Sequence, residues 1–127
     1  MLKNSRICAD IATTDLKRAR RFYEELLELA IEYEDPGRGV YYHAGHGTML
    51  NLYEREHRPS EQTAATFLVD DLDAAMSGLR QRGVVFLDFD EPDLKTRDGV
   101  FVDGTGFKVT WFHDTDGNVL SLEQLAR

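Results

Sequence analysis

Four histidines, one cysteine and one tryptophan are the residues of this 127-residue chain with the most specific chemistry. His43 and His46 have a His-x-x-His spacing, at which one loop can offer two imidazoles to a divalent ion. They are interleaved with Gly45 and Gly47, however, and read first as polar residues of a turn, with His57 and His113 completing the count. Cys8 would be a nucleophile only beside a base or cation that lowers its pKa. The sequence identifies no such neighbour, so a packing thiol is the simpler reading. Trp111 and Tyr41 are candidates for stacking on a ligand, with core packing against a helix as the alternative. Glu24, Glu25, Glu28, Glu32 and Glu34 form an acidic run that reads as a solvated helix face and strand edge.

The bulk numbers describe the scaffold that must position these groups. A chain of this length makes one domain and buries about two thirds of its unfolded surface. With 42% hydrophobic, 30% charged and 10% aromatic residues, it has enough apolar area to fold. A net charge of −8 argues against a nucleic-acid partner, which needs a concentrated cationic surface. One cysteine permits no intrachain disulfide and fits a reducing compartment. The amino terminus shows no signal-like apolar run, and no stretch is long enough for a membrane span. A cytoplasmic protein with no membrane partner is expected.

Strand and helix patterns alternate along the chain. Residues 6–13 read as a strand, and Thr13-Thr14-Asp15 caps a helix from Leu16 to about Leu29. Strands follow at 30–34, 40–43 and 48–54, with a turn at Pro36-Gly37-Arg38-Gly39. A polar linker spans 55–63. Then the order restarts: a strand at 64–69, an Asp70-Asp71 cap, a helix to about Arg82 ended by Gly83, and strands at 84–89, 107–113 and 118–124. Asp114-Thr115-Asp116-Gly117 is the last turn.

Arithmetic supports the restart. At an offset of 56, Ala9, Asp15, Leu16 and Ala19 fall on Ala65, Asp71, Leu72 and Ala75. At an offset of 70, residues 43–52 fall on 113–122, with four of ten identical: His43/His113, Gly47/Gly117, Leu50/Leu120 and Leu52/Leu122. The chain therefore reads as α+β, two tandem β-α-β-β-β modules at 1–56 and 63–127. The offsets differ by 14 residues, which places an insertion within Asp88–Gly106. A loop of that size is either a binding lid, expected to close over a ligand, or a solvated hairpin extension.

Three segments carry a family resemblance. Thr13-Thr14-Asp15-Leu16 with Ala19-Arg20-Arg21-Phe22-Tyr23 resembles the first helix of vicinal oxygen chelate proteins, the glyoxalase, bleomycin-resistance and extradiol-dioxygenase group. Val69-Asp70-Asp71-Leu72-Asp73-Ala74-Ala75 resembles the start of their second module. Trp111-Phe112-His113-Asp114-Thr115-Asp116-Gly117-Asn118-Val119-Leu120 resembles their final hairpin, and is the most specific of the three. The resemblance implies modules whose mixed sheets curl around a cleft, and commonly a homodimer.

It also implies where a metal would be held. Matching the motifs places the four ligand positions at Cys8, Asn51, Ala64 and Ser121, and the repeat pairs 8 with 64 and 51 with 121. A divalent ion activating an enediolate or a catechol needs imidazole or carboxylate donors, and this set lacks them. Asp10 and Glu123, each two residues away on the same strand face, would be a shifted carboxylate pair, although such groups more often face solvent. No metal and no cofactor are expected. Cys8, Asn51 and Ser121 would instead be small polar contacts for an organic ligand, with Ala64 leaving room and Trp111 and Tyr41 stacking. The alternatives are a filled interior, a metal-dependent lyase or dioxygenase with unusual ligands, and a module kept only for protein interaction. Pairing across a four-residue turn at 114–117 would put Phe112 and Tyr42 on the face of Val119 and Met49; a bulge would reverse this. Superfamily members conferring fosfomycin resistance use the position of Trp111 for substrate contact, which favours Trp111.

Overall fold

A computed structural model describes residues 1–126 of the chain. It comprises two compact units, Met1–Pro59 and Ser60–Arg127. In the first, strands β1 (Cys8–Thr13), β2 (Ala30–Asp35), β3 (Gly39–His43) and β4 (Met49–Glu54) form one sheet in the order β1-β4-β3-β2. β1 and β4 are parallel and the other pairs antiparallel. Alternation along β3 and β4 buries Val40, Tyr42, Leu50 and Leu52 and turns Tyr41, Asn51 and Tyr53 to the other face. Helix α1 (Leu16–Arg21) lies over the buried face, where Tyr23 stacks on Tyr42 at 6.3 Å and meets Phe22 edge-on at 5.3 Å.

α1 is shorter than its apolar spacing predicts. After Arg21 the chain continues as a π-helical turn, Phe22–Leu26, closed by Leu27 N–H donating to Phe22 O at 3.1 Å. A wider turn separates neighbouring side chains by a smaller angle, and the adjacent Phe22 and Tyr23 are both buried. The acidic run is also less solvated than its composition implies. Glu24 accepts hydrogen bonds from the buried Tyr42 hydroxyl and from Arg20 Nε, each 2.7 Å, and Arg20 also reaches Glu34 at 2.7 Å. Burial opposes ionisation of Glu24, but those two donors outweigh it and hold its carboxyl below the usual range. Tyr42 is pushed up, by burial first and then by the Glu24 carboxylate.

The second unit repeats the plan. Strands β5 (Thr63–Leu68), β8 (Val100–Val102), β9 (Lys108–His113) and β10 (Val119–Gln124) form a sheet in the order β5-β10-β9-β8. Helix α2 (Leu72–Gln81) buries Leu72 and Met76, and Phe86 meets Phe112 edge-on at 5.6 Å. The fold is α+β, with two four-stranded mixed sheets, each bearing a helix.

Local hydrogen bonds repeat at the same offsets as the identities. Asp15 and Asp71 cap their helices by accepting from Arg18 N and Ala74 N. The first helical N–H groups, Leu16 and Leu72, donate to the side chains of Glu54 and Gln124, from the last strand of each unit. Ala44 N–H to Thr48 O at 2.8 Å is matched by Asp114 N–H to Asn118 O at 3.0 Å.

The strand expected at 84–89 is not formed. Only Phe86 makes a bridge, to Phe112, and the edge position beside β9 is completed by β8. Phe86 faces Phe112 where Ile31 faces Tyr42, and Val100 faces Thr110 where Glu34 faces Val40. Three positions separate Ile31 from Glu34 and fourteen separate Phe86 from Val100, so eleven extra residues interrupt a single edge strand. That excursion carries a small hairpin, β6 (Asp90–Glu91) with β7 (Leu94–Lys95). Its base is clamped by Asp88, which accepts from Thr96 Oγ1 and Gly99 N, each at 2.7 Å. Among the described residues no helix is long and apolar enough to cross a membrane.

Candidate functional site

In both units the hairpin before the last strand pairs an aromatic residue with a small polar one. Tyr41 lies opposite Asn51, and Trp111 lies opposite Ser121. This corrects the four-residue-turn register, because Phe112 pairs with Leu120 and Tyr42 with Leu50. Asp114 and Asn118 bond across the turn and leave only three residues between them, which reverses the parity. The nearly buried Asp114 carboxylate holds that loop, accepting from Asp116 N, Asn118 N and Asn118 Nδ2 at 2.8–2.9 Å. Phe112 and Tyr42 are thereby committed to the helix-covered cores, and Trp111 and Tyr41 lie on the opposite faces.

In the first unit that face forms a groove of about 380 Å³, lined by Arg38, Tyr41, Asn51 and Tyr53, by the carboxylates Asp35 and Glu54, and by Gly37 and Gly39. Tyr33 leans on Tyr41 with centroids 6.0 Å apart. Asn51 Nδ2 donates to Asp10 Oδ1 at 3.2 Å, which fixes the amide orientation. Gly39 is required here by close approach: a Cβ at this position would stand 2.1 Å from the Leu52 carbonyl oxygen. Cys8 is on β1, outside the residues lining the groove. Burial first and the Asp10 carboxylate second raise its thiol pKa, the reverse of nucleophile activation. Two phenol rings, an amide and a guanidinium suit the groove to stacking and hydrogen bonding.

The matching face of the second unit is more closed. Ser121 is 1% exposed and shares a 2.6 Å hydrogen bond with Thr66 Oγ1. Ala64 is exposed, at a register shift between β5 and β10. Trp111 is half-buried, and Phe89 from the excursion meets it edge-on at 5.3 Å. The structure thus joins Tyr41 to Asn51 and Trp111 to Ser121. Arg38, Tyr53 and Phe89 are additions to the candidate set. Tyr53 was legible as the residue two beyond Asn51 on one strand face. Phe89 had no such signal, since its contact depends on how the excursion folds back.

The sequence profile of the Glyoxalase/Bleomycin resistance protein/Dioxygenase superfamily matches residues 7–122. The chain belongs to this superfamily. Solved structures agree across nearly the whole chain. TnmS3, an antibiotic binding protein from Streptomyces sp. CB03234, is 25% identical with a TM-score of 0.73, covering 98% of each chain. A glyoxalase/bleomycin resistance protein from Catenulispora acidiphila is 24% identical with a TM-score of 0.72, covering 94% of this chain and 97% of that one. A lactoylglutathione lyase from Agrobacterium tumefaciens is 16% identical with a TM-score of 0.69, covering 95% and 93%. A search of curated proteins found no match.

Metal-dependent members of this superfamily raise the question of whether these residues suit a divalent ion. They do not fit one. Ala64 has no donor atom, the Ser121 hydroxyl is engaged by Thr66, and the Asn51 amide nitrogen points at Asp10. The Cys8 thiol is biased toward its protonated form. Among the described residues, no three of His, Cys, Asp or Glu form a group able to hold a metal ion. His43 ends β3 as an exposed residue, and His46 sits in the following turn at φ 58°.

Proposed function

We propose that this superfamily member binds a small planar organic molecule without a metal, and acts by holding it. The observation that carries this reading is the aromatic–polar pairing, Tyr41 with Asn51 and Trp111 with Ser121, at strand positions where metal donors are lacking. The groove of the first unit supplies the principal contacts: Tyr41 and Tyr53 stack, while Asn51 and Arg38 offer polar groups. Trp111, paired with Ser121, offers an aromatic surface in the second unit. The likeness to an antibiotic binding protein supports the ligand class. In this reading the excursion after Phe86 closes over a molecule held against Trp111, and the working form is a homodimer, consistent with the exposed Leu68 on edge strand β5.

Titration of aromatic compounds and antibiotics, followed by Trp111 fluorescence and by calorimetry, tests the proposal. A saturable ligand whose affinity falls about tenfold in Tyr41→Ala supports it, that ratio corresponding to about 1.4 kcal/mol. Flat responses across the library would sink it and leave an interaction module. Elemental analysis after incubation with nickel, manganese, iron and zinc salts tests the metal clause. One tightly retained ion per chain would overturn it and make a metal-dependent lyase or dioxygenase the leading account.

A further inference from the structure

The excursion that interrupts the edge strand borders another cavity, in the second unit, on the side of the sheet that carries α2. It is a groove of about 460 Å³ between α2 and β8. Asp73, Met76 and Arg80 line it from one face of the helix, and Val100, Val102 and Lys108 line it from the sheet. Arg97 and Asp98 close one end. Those two belong to a tight turn in which Arg97 and Val100 exchange both backbone hydrogen bonds, at 2.9 and 3.0 Å. Asp98 and Gly99 take the left-handed conformation, φ 52° and 82°.

Two of the three cations here, Arg80 and Lys108, are held in place. Arg80 lies 5.3 Å over the Phe86 ring and donates from Nη2 to the Asp98 carbonyl at 2.9 Å. Asp88 secures the same turn through Gly99 N–H. The Arg97 guanidinium has no hydrogen bond or ion pair among the described residues. Lys108 is paired with Asp73 at 3.2 Å. The residues lining the groove carry three cations against two carboxylates, a local excess of one positive charge in a chain whose net charge is −8. Asp88 stands beside Arg80 just outside the lining. Its floor is apolar, since Val102 is 57% exposed and Val100 and Met76 lie beside it.

We propose that this groove is a binding site for a small amphipathic monoanion, an aromatic or branched carboxylate whose acid group meets Arg97 and Arg80 and whose body covers Val100 and Val102. Guanidinium groups match carboxylates by paired, charge-assisted hydrogen bonds. A charge of +1 suits one carboxylate better than a phosphate dianion. The site shares no lining residue with the Tyr41 groove, and the excursion contributes Arg97 and Asp98 to it.

The experiment uses the full chain with labelled methyl and arginine side-chain groups, titrated by NMR with 2-naphthoate, neutral 2-naphthamide and inorganic phosphate. Naphthoate is expected to move the Val100 and Val102 methyls and the Arg97 side-chain signal. Arg97→Gln is expected to weaken naphthoate about tenfold, the scale of one charge-assisted hydrogen bond, and to leave naphthamide unchanged. Unaltered naphthoate affinity in Arg97→Gln would overturn the proposal. So would shifts confined to Tyr41 or Trp111. Phosphate moving the same methyls as strongly as naphthoate would reduce the groove to a general anion patch and overturn the ligand class.

Discussion

The two sheets share strand order, helix caps and the register of their last hairpins, yet they differ at the edge. β2 runs beside β3 over six residues with one irregularity in register between Ile31 and Tyr33, and the face behind it opens as the Tyr41 groove. Beside β9 the same edge is split between Phe86 and β8, and the excursion between them seats Phe89 on Trp111. The central strands of such a module are constrained from both sides, whereas the edge strand has only one partner and tolerates interruption. Structural difference within the repeat is therefore concentrated at the edge.

Matched positions let the comparison be broken by experiment. Gly39 and Val109 occupy the same rung, yet one excludes any side chain and the other buries one. Gly39→Ala is expected to cost about 3 kcal/mol by overpacking, and Val109→Ala about 2 kcal/mol by the void it leaves. Urea unfolding measures both, and a Gly39→Ala cost below that of Val109→Ala would contradict the close approach to Leu52.

Tyr42 and Phe112 are the next matched pair. Tyr42→Phe should lose about 1.5 kcal/mol, the scale of a hydrogen bond to a charged group. The carboxyl of Glu24 is lowered in the folded state, so its contribution is complete above its unfolded value near 4.5 and fades as pH falls through the folded value. The gap between wild type and Tyr42→Phe should therefore narrow from pH 7 to pH 3; a gap independent of pH would remove Glu24 from the account.

Phe89→Ala is expected to cost about 1 kcal/mol, the scale of one aromatic edge contact, and to shift Trp111 emission as water reaches the indole. Unchanged emission would mean that the excursion does not shield this face. The smallest effect should come from Asp88→Asn, with faster hydrogen exchange at the Gly99 amide and an unchanged unfolding midpoint. Slower exchange across 88–99 on adding ligand is what the proposed closure requires.

Much of this was legible in the chain because the signals are local. The alternation Val40-Tyr41-Tyr42 and Leu50-Asn51-Leu52 names which face is buried. Asp15 and Asp71, each before a leucine, mark two helix starts. What escaped depends on contacts between distant segments. Val84–Phe89 has strand-forming composition, but whether it pairs along its length is decided by the residues that return at Val100. Likewise, the face of Trp111 hinged on one residue of turn length, which Asp114 and Asn118 set by bonding to each other. Arg38 carries no periodic signal and joins the groove only because the turn before β3 folds beside it.

The length of β2 has one further consequence. An outer strand of six consecutive residues is a template on which another chain can build an aggregate. Ion pairs guard its length: Arg6 with Glu32, Arg20 with Glu34 and Arg38 with Asp35. The split edge of the second unit needs no such guard, because β8 is only three residues long. Acidification would strip the charges from β2 and leave that strand as the place where precipitation begins.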